Sequence, residues 1–152
     1  MKHLITASLL FISIAASAEI IVKDAWVRTT VAEQKVTGAF MQITSDKTVK
    51  LVGANSTVAE ALEIHEMSMQ GDVMKMRQVN EVVIDAGKSV ELKPGSYHIM
   101  LMNLKKPVQA GSTVNLNLEF QDAEGKKQSV KVKAQARASM KQDAGHAHHH
   151  GH

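Results

Sequence analysis

The 152-residue chain contains no cysteine. That absence removes disulfides, thiolate metal centres and a cysteine nucleophile together, and it excludes a blue-copper electron carrier, whose site needs a Cys thiolate. Aromatics are scarce, with one Trp, one Tyr and three Phe, so any core must rest on Val, Ile, Leu, Ala and Met. Charge of one sign is also missing: eighteen Lys and Arg are scattered among fifteen Asp and Glu, for a formal charge of +3. There is neither the clustered basic face nor the aromatic platform that nucleic-acid binding requires. No nucleophile and base, paired-carboxylate cleft or open hydrolytic metal site stands out, so the residues do not describe an enzyme. The length suits a single domain with a real core.

Long apolar runs are absent except at the start. Met1-Lys2-His3 is a short positive beginning, Leu4 to Ile14 is apolar apart from Thr6, Ser8 and Ser13, and Ala16-Ser17-Ala18 has the A-x-A form of a cleavage site. The pattern predicts a secretory signal peptide over residues 1–18, too short and too weakly flanked for a spanning helix. The expectation is an exported, soluble, periplasmic domain over residues 19–136 beginning Glu19-Ile20. There, an absence of thiols avoids the oxidation that threatens a Cys-based metal site.

What the chain does have is a period of two. Ile20 to Val27, Gly38 to Thr44, Val49 to Ala54, Ala61 to Met69, Val73 to Gln78, Val82 to Ile84, Ser89 to Leu92 and Tyr97 to Met102 read as short strands. The last two strands alternate most cleanly, with Val114, Leu116, Leu118 and Phe120 set against Asn115, Asn117 and Glu119, and Val130 and Val132 against Lys131 and Lys133. No stretch has a sustained helical period with caps. The prediction is an all-β fold, an antiparallel β-sandwich or barrel in one domain.

His65 to Met102 holds six of the nine methionines and both histidines of the predicted domain. His65, Met76, His98 and Met100 follow the spacing H-x10-M-x21-H-x-M. Thioether sulfur is soft, uncharged and poorly suited to Zn(II), Mg(II) or Ca(II), whereas it suits Cu(I). Strand alternation puts His98, Met100 and Met102 on one face, and His65, Met67 and Met69 on one face. Around Gln70-Gly71-Asp72 a hairpin is expected. A Gln70-Gly71 loop would set His65 opposite Met76, and a Gly71-Asp72 loop would set Met67 opposite Met76. Methionines at alternating strand positions usually fill a core. Here Ile99 and Leu101, with Leu62 and Ile64, already supply apolar faces, which leaves the His/Met faces available as ligands. Met67, Met69, Met74 and Met102 are candidates for supporting positions, Met67 first as a substitute ligand. Glu63 and Glu66 are candidates for attracting a cation.

On these residues the chain resembles the periplasmic copper chaperones of the PCu(A)C type. The resemblance runs from Asp24-Ala25-Trp26-Val27-Arg28 through Gly38-Ala39-Phe40-Met41 to the strand ending at Phe120, and the defining motif is matched in full within Val73-Met74-Lys75-Met76-Arg77 and Pro94-Gly95-Ser96-Tyr97-His98-Ile99-Met100. It implies a cupredoxin-like β-sandwich that binds one Cu(I) at a surface site. It also implies delivery to the CuA or CuB centres of respiratory oxidase assembly or to another periplasmic acceptor. Prolines common after Arg28 are absent, and Phe40 and Ser45 stand where Tyr and Asn are usual. A storage or resistance protein is the nearest other function, and a non-metal interaction module with a sticky Met patch the next.

Beyond Ala136 the alternation stops. Residues 137–152 form a His-rich tail in which His146, His148, His149, His150 and His152 favour a borderline ion, Cu(II) foremost. The mechanism these features suggest is ligand exchange, in which an acceptor's donors replace those of a shallow Cu(I) site one at a time.

Overall fold

The computed structural model describes residues 12–14 and 16–139. Residues 1–11 and 15 of the predicted signal peptide and residues 140–152 of the predicted His-rich tail lie outside that range, whereas Arg137, assigned to the tail, is the last residue of a strand. Ten strands follow in order: β1 (Ile20–Arg28), β2 (Thr37–Ser45), β3 (Val49–Asn55), β4 (Ala59–Gln70), β5 (Val73–Gln78), β6 (Val82–Ile84), β7 (Ser89–Leu92), β8 (Tyr97–Leu104), β9 (Thr113–Asp122) and β10 (Lys127–Arg137). Among the described residues there is no helix, and none long and apolar enough to cross a membrane. Every strand foreseen from the alternation is present, and most run one to three residues further at one or both ends.

The period of two turns directly into burial. In β9, Val114, Leu116, Leu118 and Phe120 are buried, and in β10 Val132, Ala134 and Ala136 are buried between exposed Lys131, Lys133 and Gln135. In β8, Ile99 and Leu101 have no exposed surface. The strands run β5-β4-β8-β2-β1-β10-β9-β3-β6, with β7 also on β2. Ile64, Ile99 and Leu101 from one end of that path share a single core with Leu51, Ile84, Leu118 and Phe120 from the other. The sheet therefore folds over itself around an aliphatic interior, the cupredoxin-like arrangement expected. One pairing is not antiparallel: β1 runs parallel to β10, with Trp26 opposite Gln135 and Arg28 opposite Arg137. Alternation reports which face a residue occupies, not the direction of the neighbouring strand, so this pairing was not readable beforehand.

Two local features place the site. First, β2 is shared along one edge: Thr37 to Ala39 pair with β8, and Met41 to Thr44 pair with β7. The turn that carries the chain from β7 to β8 bridges this junction, closed by Ser96 N–H donating to Lys93 O at 3.0 Å, with Gly95 at φ 85°. That positive φ is the left-handed conformation glycine adopts without a Cβ penalty. Second, the β4–β5 hairpin closes through Gly71-Asp72, with Gln70 opposite Val73 and Gly71 at φ 63°. Glycine at the first loop position is what a tight two-residue hairpin of this hand needs.

Candidate metal centre

The register of four neighbouring strands gathers the predicted ligands. On β4 and β8, His65 is directly opposite His98, and Glu63 is opposite Met100. On β4 and β5, Met67 is opposite Met76 and Met69 is opposite Met74. Of the two hairpin registers the sequence allowed, the Gly71-Asp72 loop is realised, so His65 faces Gln78 and not Met76. On β2 and β8, Gly38 is opposite Met100. All of these side chains stand on the face away from Ile64, Ile99 and Leu101.

Met76 nevertheless reaches His98. The two residues lie on strands separated by β4, about 10 Å apart as backbone lines, and a long unbranched side chain spans the gap. Met76 Sδ comes within 3.3 Å of His98 Nε2. The other ring nitrogen of His98, Nδ1, is 3.2 Å from Ser96 O. A carbonyl can only accept, so Nδ1 carries the proton and Nε2 is left with its lone pair directed at the thioether. Ser96 O also accepts from Met67 N–H at 3.1 Å, so one carbonyl ties the ring of one strand to the backbone of the next. Such a hydrogen bond to the remote imidazole nitrogen is the usual way a metal-binding histidine is held in orientation.

His65 is oriented differently. Its Nε2 is 2.8 Å from Glu63 Oε2, while Nδ1 is buried and has no hydrogen-bond partner. The carboxylate fixes the proton on Nε2, and the free lone pair belongs to Nδ1. An orphaned buried acceptor costs free energy unless something binds it, and it lies in a ring whose centroid is 5.7 Å from that of His98. Glu63, expected as a general attraction for a cation, is instead a specific partner of this ring. Glu66 lies on the opposite face, where Arg77 binds it at 2.6 Å and holds its carboxyl below the usual carboxylate range, with the Tyr97 hydroxyl adding to the effect.

A depression of about 290 Å³ is lined by Met67, Met76, His98 and Met100 together with Arg28, Gly38 and Phe40; His65 does not line it and adjoins it through its contact with the His98 ring. The candidate donors are unevenly exposed. His98 is only 4% exposed and Met76 is 50% exposed, so the groups that line the depression range from buried to half exposed. Burial pushes the His98 imidazole below the ordinary histidine pKa, the Ser96 carbonyl opposes this, and the positive potential of His65 and Arg28 adds to the lowering. The ring is therefore neutral, with its lone pair available, at neutral pH.

The wall made by Phe40 is the part that ligand spacing does not reveal. A Cβ on Gly38 would lie 2.8 Å from Phe40 Cζ, so the far edge of the ring closes against the glycine, which is opposite Met100. Phe40 stacks on Trp26 at 4.5 Å and carries the Arg28 guanidinium 5.4 Å above its centroid. Gly38 followed two residues later by an aromatic is the signal that would have found this wall. Met69 and Met74, proposed from sequence as supporting positions, lie at the hairpin tip, and neither they nor Met102 line the depression. Met67 does line it.

Among the described residues, no three His, Cys, Asp or Glu side chains converge as a metal-binding group. A donor set in which two imidazoles are joined by thioethers is the combination that fits a soft monovalent ion and disfavours hard or borderline divalent ones.

An all-β sheet of this topology with a His/Met cluster at one edge defines a PCuAC type of domain. The family described as "LpqE-like: Putative lipoprotein LpqE-like" matches residues 20–136, and the chain belongs to it; PCuAC proteins are copper chaperones, not enzymes. A relative called "Putative lipoprotein Lxx21020", from Leifsonia xyli subsp. xyli, is 36% identical over 112 residues. The match covers 72% of this chain and 66% of that relative, just under two thirds of its length. The solution structure of CuI-DR1885 from Deinococcus radiodurans is 28% identical, with a TM-score of 0.62 over 79% of this chain and 78% of that one. The copper-bound PCuAC domain from PmoF2 has a TM-score of 0.63 over 78% of this chain and 92% of its own, at 17% identity, a likeness of fold.

Proposed function

We propose that the protein is an exported copper chaperone that carries one Cu(I) on His65, Met76, His98 and Met100, with Met67 as a substitute ligand, and passes it to an acceptor by ligand exchange. The observation that carries this reading is the pair His98 Nε2 and Met76 Sδ, 3.3 Å apart with no proton between them. Two lone pairs facing each other repel, and a cation between them turns that repulsion into two bonds. The copper-bound states named for CuI-DR1885 and the PmoF2 domain support copper as the cargo.

Unequal exposure gives the transfer a direction. His98 is anchored by Ser96 and His65 by Glu63, whereas Met76 is half exposed on the outermost strand. An incoming thiolate or imidazole therefore meets Met76 first and displaces a neutral, weakly held thioether, and the imidazoles release the ion last. Copper stays coordinated throughout, so none is freed into solution. The acceptors we propose are the CuA or CuB sites of oxidase assembly or another periplasmic copper protein. The periplasmic setting rests on the signal-peptide pattern of residues 1–18 and on relatives called lipoproteins. The five tail histidines from His146 to His152 are assigned Cu(II), caught before it reaches the core site.

The test is an anaerobic Cu(I) competition titration on the chain ended at Ser139, beside His98→Ala and Met76→Leu. One tight equivalent, weakened in both variants, is expected. Since Met76 is half exposed, its variant reports on ligation even where the buried His98 replacement disturbs folding. Absence of tight Cu(I) from the parent chain overturns the core site. Transfer of the bound ion to a copper-free acceptor, without loss to a chelator, separates delivery from storage.

A further inference from the structure

The core site uses one end of a longer line of thioethers. Along the same face of the β4–β5 hairpin, Met67 is opposite Met76 and Met69 is opposite Met74. Directly opposed side chains in such a pair have Cβ atoms about 5 Å apart, and successive pairs on one face are about 7 Å apart along the strands. Two sulfurs of one rung can meet around a single ion, and the next rung is within a short hop.

The tip rung is poorly explained as packing. Met69 is 59% and Met74 42% exposed. They stand on an edge hairpin whose outer strand is exposed at every position, and neither belongs to the hydrophobic core. Isolated exposed hydrophobes are ordinary. Two thioethers directly opposed, in register with a second thioether pair that opens into a metal centre, are a more specific arrangement. The neighbouring charged side chains Lys75 and Arg77 alternate onto the other face, and Arg77 is engaged by Glu66, so no cation is placed among the sulfurs to repel an incoming one.

We infer that Met69 and Met74 form a second, weaker soft-metal site, an entry rung that receives monovalent copper at the hairpin tip and relays it through Met67 and Met76 to His98 and His65. This rests on the reading of the core centre as a Cu(I) site. No oxidation or reduction is involved; each step replaces one thioether by another or by an imidazole. Two uncharged sulfurs hold the ion less firmly than two sulfurs and two imidazoles, so occupancy runs downhill toward the core.

The experiment is an anaerobic titration of the full chain, labelled with 13C at the methionine methyls, with Ag(I), a soft d10 probe that needs no reductant. The first equivalent is expected to shift Met76 and Met100. A further equivalent is expected to shift Met69 and Met74 together, in faster exchange. The double variant Met69→Leu/Met74→Leu, at two exposed positions, is expected to lose the later shifts and keep the first. If Met69 and Met74 methyls stay unmoved while Met76 and Met100 respond, the entry rung is overturned and the core site stands. If Met76 and Met100 never respond, the core reading itself fails. If Met69 and Met74 shift only with the first equivalent, they report a neighbouring ligand change, which also overturns the second site.

Discussion

His65 and His98 are separated by 32 residues of chain, yet they stand directly opposite each other on adjacent antiparallel strands with ring centroids 5.7 Å apart. The register of β4 against β8 makes this pairing, and that register is set on the other face, where Leu62 meets Leu101 and Ile64 meets Ile99 in the core. A slip of one residue would turn every apolar side chain outward. The same hydrophobic burial that stabilises the fold therefore aligns the two imidazoles.

Leu101→Ala is expected to destabilise the protein by about 2–5 kcal/mol, the range for emptying a closed aliphatic site, because Leu101 has no exposed surface. Met76→Ala, on the half-exposed hairpin, is expected to cost under about 1 kcal/mol while weakening Cu(I). Denaturant midpoints and chelator competition on the two variants check the contrast.

Glu63 holds His65 in one tautomer through its 2.8 Å contact with Nε2. Glu63→Ala is expected to lower Cu(I) affinity by about 10–100-fold, the usual effect of removing the partner that orients a metal-binding histidine. Competition titration measures it. An unchanged affinity would show that the carboxylate does not set the ligand's orientation.

Gly38→Ala would place a Cβ 2.8 Å from Phe40 Cζ. The ring must swing off the glycine, away from its stack on Trp26, and the expected cost is about 1–3 kcal/mol. The expected change in Trp26 fluorescence accompanies the fall in thermal midpoint. Gly38→Ala combined with Phe40→Leu should recover part of the loss if the clash is the cause.

The copper-free protein should weaken in mild acid. Burial lowers the folded-state pKa of His98 below the ordinary value of 6.5. Between that value and the lowered one, the unfolded chain binds a proton that the folded chain refuses, so stability falls as pH drops below about 6.5. Above it both states are neutral and this group contributes no pH dependence. Urea midpoints at pH 7 and pH 5, compared with those of His98→Asn, isolate the contribution, which the variant should lack.

Much of this site was visible in the order of residues. Strict alternation in β8 separated Ile99 and Leu101 from His98 and Met100, and the structure places the first pair in the core and the second beside the depression. The donor types alone argued for a soft ion. The orientation of those donors was not visible. Ser96 O and Glu63 Oε2 decide which imidazole nitrogen is free, and both are contacts that depend on strand positions and on the turn between β7 and β8. In the sequence Glu63 reads only as a charge and Phe40 only as part of a resemblance, because their roles lie in what they touch.

The sequence by itself determined the all-β architecture, the two faces of each strand and the chemical softness of the donor set. These follow from a side-chain period of two and from the chemistry of thioether and imidazole, which are local properties. Only the tertiary structure decided that the hairpin turns at Gly71-Asp72, that β1 runs parallel to β10, and that Met76 crosses β4 to meet a buried His98. Those outcomes depend on how strands pair across the chain. That pairing is settled by burial of one shared core, and no single segment encodes it.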